Sequence, residues 1–239
     1  MSGNFLGKFI TNTEQLYFNS YLSVSLVRFE KRCFELDLFR KYGVNIDYKL
    51  TRSVDKRKAE YLAGRICAQK AIEHLVGASS EPPVIPVGIN REPIWPTNLV
   101  GSIAHTNKFA ICAVGKRQDF KYLGFDIEEI LSKEQTCELA KLIHSDQEQQ
   151  LLVKSGMSEQ HATTVLFSAK ESIFKGLYYQ VRTYFGFEVA RLVEVDASHK
   201  RLKFELDTRF SLKHDLPKEV TCQFIHYDEF VLTNMIIDF

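Results

Sequence analysis

The chain has 239 residues, 45% hydrophobic and 26% charged, enough for one large domain or two small ones with a sizeable core. A formal net charge of +1 argues against a dedicated nucleic-acid binder, though it leaves room for a local basic cluster. Five scattered cysteines with no Cys-x-x-Cys pair argue against a disulfide framework or a cysteine zinc site, and read instead as small buried hydrophobes in a reducing compartment.

The first eight residues lack a basic head followed by an apolar run, so no secretory signal is expected. No apolar stretch approaches the roughly 18–20 residues of a membrane span, and the expected location is the cytoplasm. Residues 1–50 mix short β-like runs, such as 22–27, with polar breaks. A helix is predicted over 54–76, where Leu62, Ala63, Ile66, Cys67, Ile72, Leu75 and Val76 make an apolar stripe and Gly77 is a natural stop. Residues 79–83 read as a loop, and 91–96 as an irregular segment bounded by prolines. Strands are predicted over 99–104 and 109–114, with a turn at 105–108, and again over 122–128. Helical character follows over 132–153, broken near His144 and Ser145, and over 167–180. Four strands are expected in the last third, at 185–193, 201–206, 220–227 and 230–237. This order predicts an α+β fold of two halves, each a small, mainly antiparallel sheet packed on a long helix. The polar stretch at 116–121 sets the boundary, giving halves of 1–118 and 119–239.

The segment Gly124-Phe125-Asp126-Ile127-Glu128 alternates apolar and acidic residues. As a strand it points Asp126 and Glu128 to one face and Phe125 and Ile127 to the other. Glu171 offers a third carboxylate, with Lys170 and Lys175 close by in the sequence. Gathering three carboxylates is costly unless a divalent ion neutralises them, and lysines beside such an ion suit a phosphate-bearing substrate. Each element has a plainer reading. Asp126 and Glu128 fit a solvated strand face. Ser168-Ala169-Lys170-Glu171 fits a helix-opening capping box, and Glu171 with Lys175 fits a surface pair worth some tenths of a kcal/mol. His105 sits at a strand end, where a structural or solvated histidine is common. Lys58 and Arg65, seven apart, share a helix side with Arg57 adjacent; such a face is either solvated or a cradle for a polyanion.

Taken together, Gly101-Ser102-Ile103-Ala104-His105, Gly124-Phe125-Asp126-Ile127-Glu128 and Phe167-Ser168-Ala169-Lys170-Glu171-x-x-x-Lys175 resemble, in order and spacing, the three signature motifs of the 4'-phosphopantetheinyl transferases. The stretch from Arg57 to Arg65 and Pro93-Ile94-Trp95-Pro96 are similar to the enterobactin-synthase branch of the surfactin-type group. The resemblance covers most of residues 55–180. It implies a monomer of two pseudo-symmetric halves, with coenzyme A and Mg²⁺ held in the cleft between them. The implied reaction moves the phosphopantetheine arm of coenzyme A onto a serine of an apo aryl or peptidyl carrier protein, here of a siderophore-making nonribosomal peptide synthetase.

By the same resemblance Asp126, Glu128 and Glu171 are the magnesium ligands. Glu171 helps deprotonate the attacking serine, Lys175 stabilises the diphosphate, and Lys170 lies nearby. His105, Arg57, Arg65 and Arg91 meet coenzyme A phosphates. Ala104 departs from the family, which usually has serine there; one lost hydrogen bond would weaken coenzyme A binding by about 0.5–3 kcal/mol. Two alternatives stand beside this reading. One is a non-catalytic module that binds coenzyme A or a carrier protein. The other is a metal-dependent nuclease, disfavoured by the near-neutral charge and by the order Lys170-Glu171.

Overall fold

A computed structural model describes residues 8–77, 79 and 83–239; the sequence readings that fall on residues 1–7 and 80–82 lie outside these. The chain parts between Asp119 and Phe120 into two compact units.

In the N-terminal unit, β1 (Ile10–Leu16), β2 (Leu22–Phe29), β3 (Leu99–His105) and β4 (Phe109–Lys116) form an antiparallel sheet in the order β1-β2-β4-β3. Two short helices, α1 (Asp37–Lys41) and α2 (Tyr48–Thr51), precede the long α3 (Asp55–Val76). α3 packs on β2 and β4, and its buried face is rich in small residues: Ala59, Ala63, Gly64, Ala68 and Ala71. Small side chains bring the helix axis close to the sheet, and a Cβ on Gly64 would stand 3.1 Å from Ile103 Cγ2. α3 ends at Gly77, whose φ of 92° is the left-handed backbone that glycine tolerates. β1 was hidden in the sequence because it is polar and mostly exposed, so no apolar alternation marks it.

In the C-terminal unit, β5 (Phe120–Glu129) is followed by α4 (Lys133–Ile143), α5 (Asp146–Lys154) and α6 (Glu159–Val181). Then come β6 (Ala190–Asp196), β7 (Arg201–Leu206), α7 (Thr208–His214), β8 (Glu219–His226) and β9 (Phe230–Asp238). The strands form an antiparallel sheet in the order β5-β9-β8-β7-β6. α6 lies on β5 and β9, with Val165, Leu166, Ala169, Ile173 and Leu177 buried in the unit's core. The fold is therefore α+β, with each antiparallel sheet packed on one long helix.

Several boundaries differ from the sequence expectation. The break near His144 is real: capping boxes at Ser132 and Ser145 start α4 and α5 separately. α6 starts eight residues before 167, capped by the Ser158 hydroxyl, so Ser168 is in mid-helix and caps nothing. The strand expected over 185–193 begins only at Ala190, because Phe187–Val189 form a 3-10 turn. Cys67, Cys112 and Cys222 are buried as expected, but Cys137 is exposed on α4. Among the described residues no helix is long and apolar enough to cross a membrane.

In the C-terminal unit α6 approaches β5 closely at Gly124. A Cβ there would fall 1.9 Å from the Ser172 carbonyl oxygen and 2.7 Å from the Gly176 nitrogen, both main-chain atoms of α6. Gly176 faces it, with a hypothetical Cβ 3.2 Å from the Gly124 nitrogen. Backbone cannot rotate aside as a side chain does, so any larger residue must push helix and strand apart. Gly124→Ala is expected to lower stability by about 1–3 kcal/mol, measured by urea denaturation. An unchanged midpoint would show that α6 does not sit this close to β5.

Candidate active site

The β5 residues that face α6 are Tyr122, Gly124, Asp126 and Glu128, the even positions of the strand. Asp126 is 2% exposed, an expensive place for a carboxylate without partners. Its Oδ2 accepts a hydrogen bond from Ser168 Oγ at 2.7 Å, and its Oδ1 is ion-paired with Lys175 Nζ. The sequence pairing of Lys175 with Glu171 along the helix thus yields to one across to the strand.

Glu128 and Glu171 complete an interacting group of three acids around this one ammonium. Burial, then the neighbouring Asp126, pushes the Glu128 carboxyl up to about 9, with Lys175 pulling the other way and Glu171 adding to the rise. Burial also raises Glu171, opposed by Lys175 and reinforced by Asp126. For Lys175 burial favours the neutral amine, but Asp126, Glu171 and Glu128 outweigh it, and its pKa is raised. Three acids crowd one ammonium in a poorly hydrated place, which disfavours ionising all three at once. Among the described residues no three His, Cys, Asp or Glu side chains are drawn together as a ready-made metal-ligand set. The Lys175 ammonium sits on Asp126, where such a set would have to converge.

Lys170 points elsewhere. Its Nζ is 2.8 Å from Glu148 Oε1, with both side chains almost wholly buried (3% and 5% exposed). Glu148 also accepts from the Leu192 backbone N–H at 2.9 Å and closes the α5 capping box on Ser145. The pair therefore ties α5, α6 and the start of the β6 strand together. Burial lowers the Lys170 pKa and Glu148 works against that fall.

In the N-terminal unit, Arg57, Arg65, Arg91 and His105 all line one cleft of about 300 Å³, joined by Glu60 and Tyr61. Arg65 is buried (8% exposed): its Nε donates to the Ile85 carbonyl at 2.9 Å and its guanidinium lies 4.5 Å over the Tyr61 ring. Arg57 is exposed in the first turn of α3, and Arg91 is exposed with a left-handed φ of 71°. His105 ends β3 with Nδ1 4.0 Å from Glu60 Oε2, and Glu60 is held by Lys31 Nζ at 2.6 Å. Lys58 is not among the lining residues; it pairs with Asp55 at 3.1 Å instead. Ala104 is buried (3% exposed) and falls on the face of β3 opposite Ile103 and His105, so its methyl does not line this cleft.

Sequence reasoning missed the hydroxyls of Ser168, Ser172 and Thr233, the Glu148 partner of Lys170, and the Tyr61 ring under Arg65. The i, i+4, i+8 run of Ser168, Ser172 and Gly176 was the available signal for a small, polar helix face against a strand. Thr233 carries no such signal; only the register, which pairs it with Asp126, reveals it.

The family described as the 4'-phosphopantetheinyl transferase N-terminal domain matches residues 47–115, and the 4'-phosphopantetheinyl transferase superfamily matches residues 122–233. Enterobactin synthase component D of Salmonella typhi is 39% identical over 144 residues, 60% of this chain and 58% of the relative. Its counterpart in Escherichia coli K12 is 38% identical over 132 residues, 55% and 59% of the two chains. The 4'-phosphopantetheinyl transferase PptT of Mycobacterium tuberculosis is 29% identical over 152 residues, 62% and 64%. The matched segment thus spans less than two thirds of the length of each of these relatives.

The geometry separates the two neighbouring lysines experimentally. Lys170→Met strands the buried Glu148 carboxylate and is expected to cost about 3–5 kcal/mol of stability, read by chemical denaturation. A loss below about 1 kcal/mol, the range of surface pairs, would show that Lys170 does not hold this buried ion pair.

Proposed function

The chain belongs to the 4'-phosphopantetheinyl transferase superfamily, and on that premise we propose that it is an Mg²⁺-dependent enzyme that loads carrier proteins from coenzyme A. The observation that carries the reading is the acid group around Lys175, with the Glu128 carboxyl pushed up to about 9 by burial and by Asp126. Such a group is stabilised by a cation, and its donors are all oxygens, which suits a hard divalent ion. Asp126, Glu128 and Glu171 would hold Mg²⁺, which when bound neutralises the diphosphate oxygens of coenzyme A.

The chain's own residues account for the rest. In the transfer, the carrier serine Oγ forms a bond to the pantetheine-side phosphorus as the bond to adenosine 3',5'-bisphosphate breaks. The serine proton passes to the Glu171 carboxylate, whose raised pKa makes it a better base than an exposed glutamate. Lys175, kept charged by its acidic neighbours, stabilises the charge that moves onto the leaving bisphosphate. Arg57, Arg65, Arg91 and His105 supply phosphate donors in the N-terminal cleft. Arg65 spends Nε on Ile85, so its terminal nitrogens are the ligand-binding ones. Lys170 supports α6 rather than substrate.

The carriers are proposed to be aryl and peptidyl carrier domains of a siderophore synthetase, since several similar proteins are enterobactin synthase components. The enzyme would act as a monomer in the cytoplasm.

Incubation with coenzyme A, Mg²⁺ and an apo carrier domain is expected to add one phosphopantetheine arm, seen by mass spectrometry. Lys175→Ala should slow the transfer about a hundredfold to a thousandfold, the usual loss for one electrostatic stabiliser. Binding of coenzyme A without any transfer to several carrier classes would instead favour a non-catalytic module. Glu128→Gln relieves the like-charge crowding, so it should raise the melting temperature without Mg²⁺ and remove the rise that Mg²⁺ gives the parent protein. An unaltered response to Mg²⁺ would take Glu128 out of the cation site.

A further inference from the structure

We propose that Thr233, Ser172 and Ser168 form a directed chain of hydroxyls that fixes the Asp126 carboxylate and so sets the affinity of the acid group for its cation; this rests on the reading above. All three hydroxyl residues are fully buried. Ser168 Oγ lies 2.7 Å from Asp126 Oδ2 and 2.9 Å from Thr233 Oγ1, and Ser172 Oγ lies 2.7 Å from Thr233 Oγ1.

Proton counting gives the chain its direction. An ionised carboxylate only accepts, so the single Ser168 proton goes to Asp126. Ser168 can then only accept from Thr233, which in turn can only accept from Ser172. Ser172 Oγ–H donates to the Thr233 carbonyl at 3.1 Å and lies 2.7 Å from Thr233 Oγ1, so its one proton is shared between the two. Each hydroxyl polarises the next, and the chain ends on the negative charge.

Two further features separate this from ordinary satisfaction of buried hydroxyls. Serine and threonine in a helix commonly bond back to the carbonyl four residues earlier, as Thr164 does on the same helix with Gln160 at 2.7 Å. Ser168 and Ser172 turn outward to the strands instead. In addition, Thr233 is the direct cross-strand partner of Asp126 in the β5–β9 ladder, which places its side chain on the same face of the sheet as the carboxylate. With Oδ2 fixed in this way, Oδ1 faces Lys175 and is the oxygen a cation would take over. Ser168, Thr233 and Ser172 are positioning residues, acting through Asp126.

The test uses the full chain and Mg²⁺ as the probe, titrated by calorimetry in the presence of coenzyme A, with a thermal melt of each variant. Thr233→Val removes the hydroxyl at constant shape, and Thr233→Ser keeps the hydroxyl but loses the methyl. The expected result is a Mg²⁺ affinity about tenfold weaker for Thr233→Val, as for loss of a ligand-orienting partner, and close to the parent for Thr233→Ser even though the methyl deletion lowers its melting temperature. Ser168→Ala should weaken Mg²⁺ at least as much, and carries the same comparison if Thr233→Val does not fold. Parent-like affinity in both Thr233→Val and Ser168→Ala, or affinities that merely follow melting temperature, would overturn the hydroxyl chain alone. Failure of the parent protein to bind Mg²⁺ would overturn the functional reading and this inference with it.

Discussion

The contact between bare backbone at Gly124 and at Ser172 and Gly176 governs the C-terminal unit. Without a Cβ on the strand, α6 descends until its main chain meets that of β5. Only at that separation do the short side chains of Ser168 and Ser172 reach Asp126 and Thr233, and only then does Lys175 lie over the Asp126 carboxylate. The glycine that looks like a weak point in a strand is what lets two elements share one polar face.

That shared face holds charge in an arrangement poor for stability. Burial raises Glu128 and Glu171, and Asp126 adds to both shifts, while one ammonium answers three acids. A protein selected for stability alone would replace such a group with packed hydrocarbon. The Lys170–Glu148 pair on the same helix shows the contrast: one cation meets one anion, the remaining acceptor sites bind backbone N–H groups, and the result braces α5 against α6. The same helix therefore carries both a closed ion pair and an ammonium crowded by three acids. The N-terminal cleft has the complementary character, with three arginines and a histidine along its wall.

Much of this was legible in the sequence, and what was not has physical reasons. α3 was read almost to the residue, from its run of apolar and small residues and the stop at Gly77. The strands β3, β4 and β5 were read because apolar runs flank obvious turns. β1 and α7 were missed, the first for its polar exposed face and the second for being a short helix between strands. The Ser168-x-x-Glu171 pattern suggested a helix start, yet it lies in the middle of α6; local pattern cannot tell a cap from a hydroxyl recruited by a distant carboxylate. Likewise nothing near Lys170 in the chain announces Glu148, 22 residues earlier across a turn.

Asp126, Glu128 and Glu171 are proposed to act together on one divalent cation. Mn²⁺, whose free form is counted directly by electron paramagnetic resonance, tests it when titrated into the protein with coenzyme A. One Mn²⁺ bound per chain, lost in Asp126→Asn and in Glu171→Gln while both variants stay folded, is the predicted outcome. Undiminished Mn²⁺ binding in those two variants would contradict it.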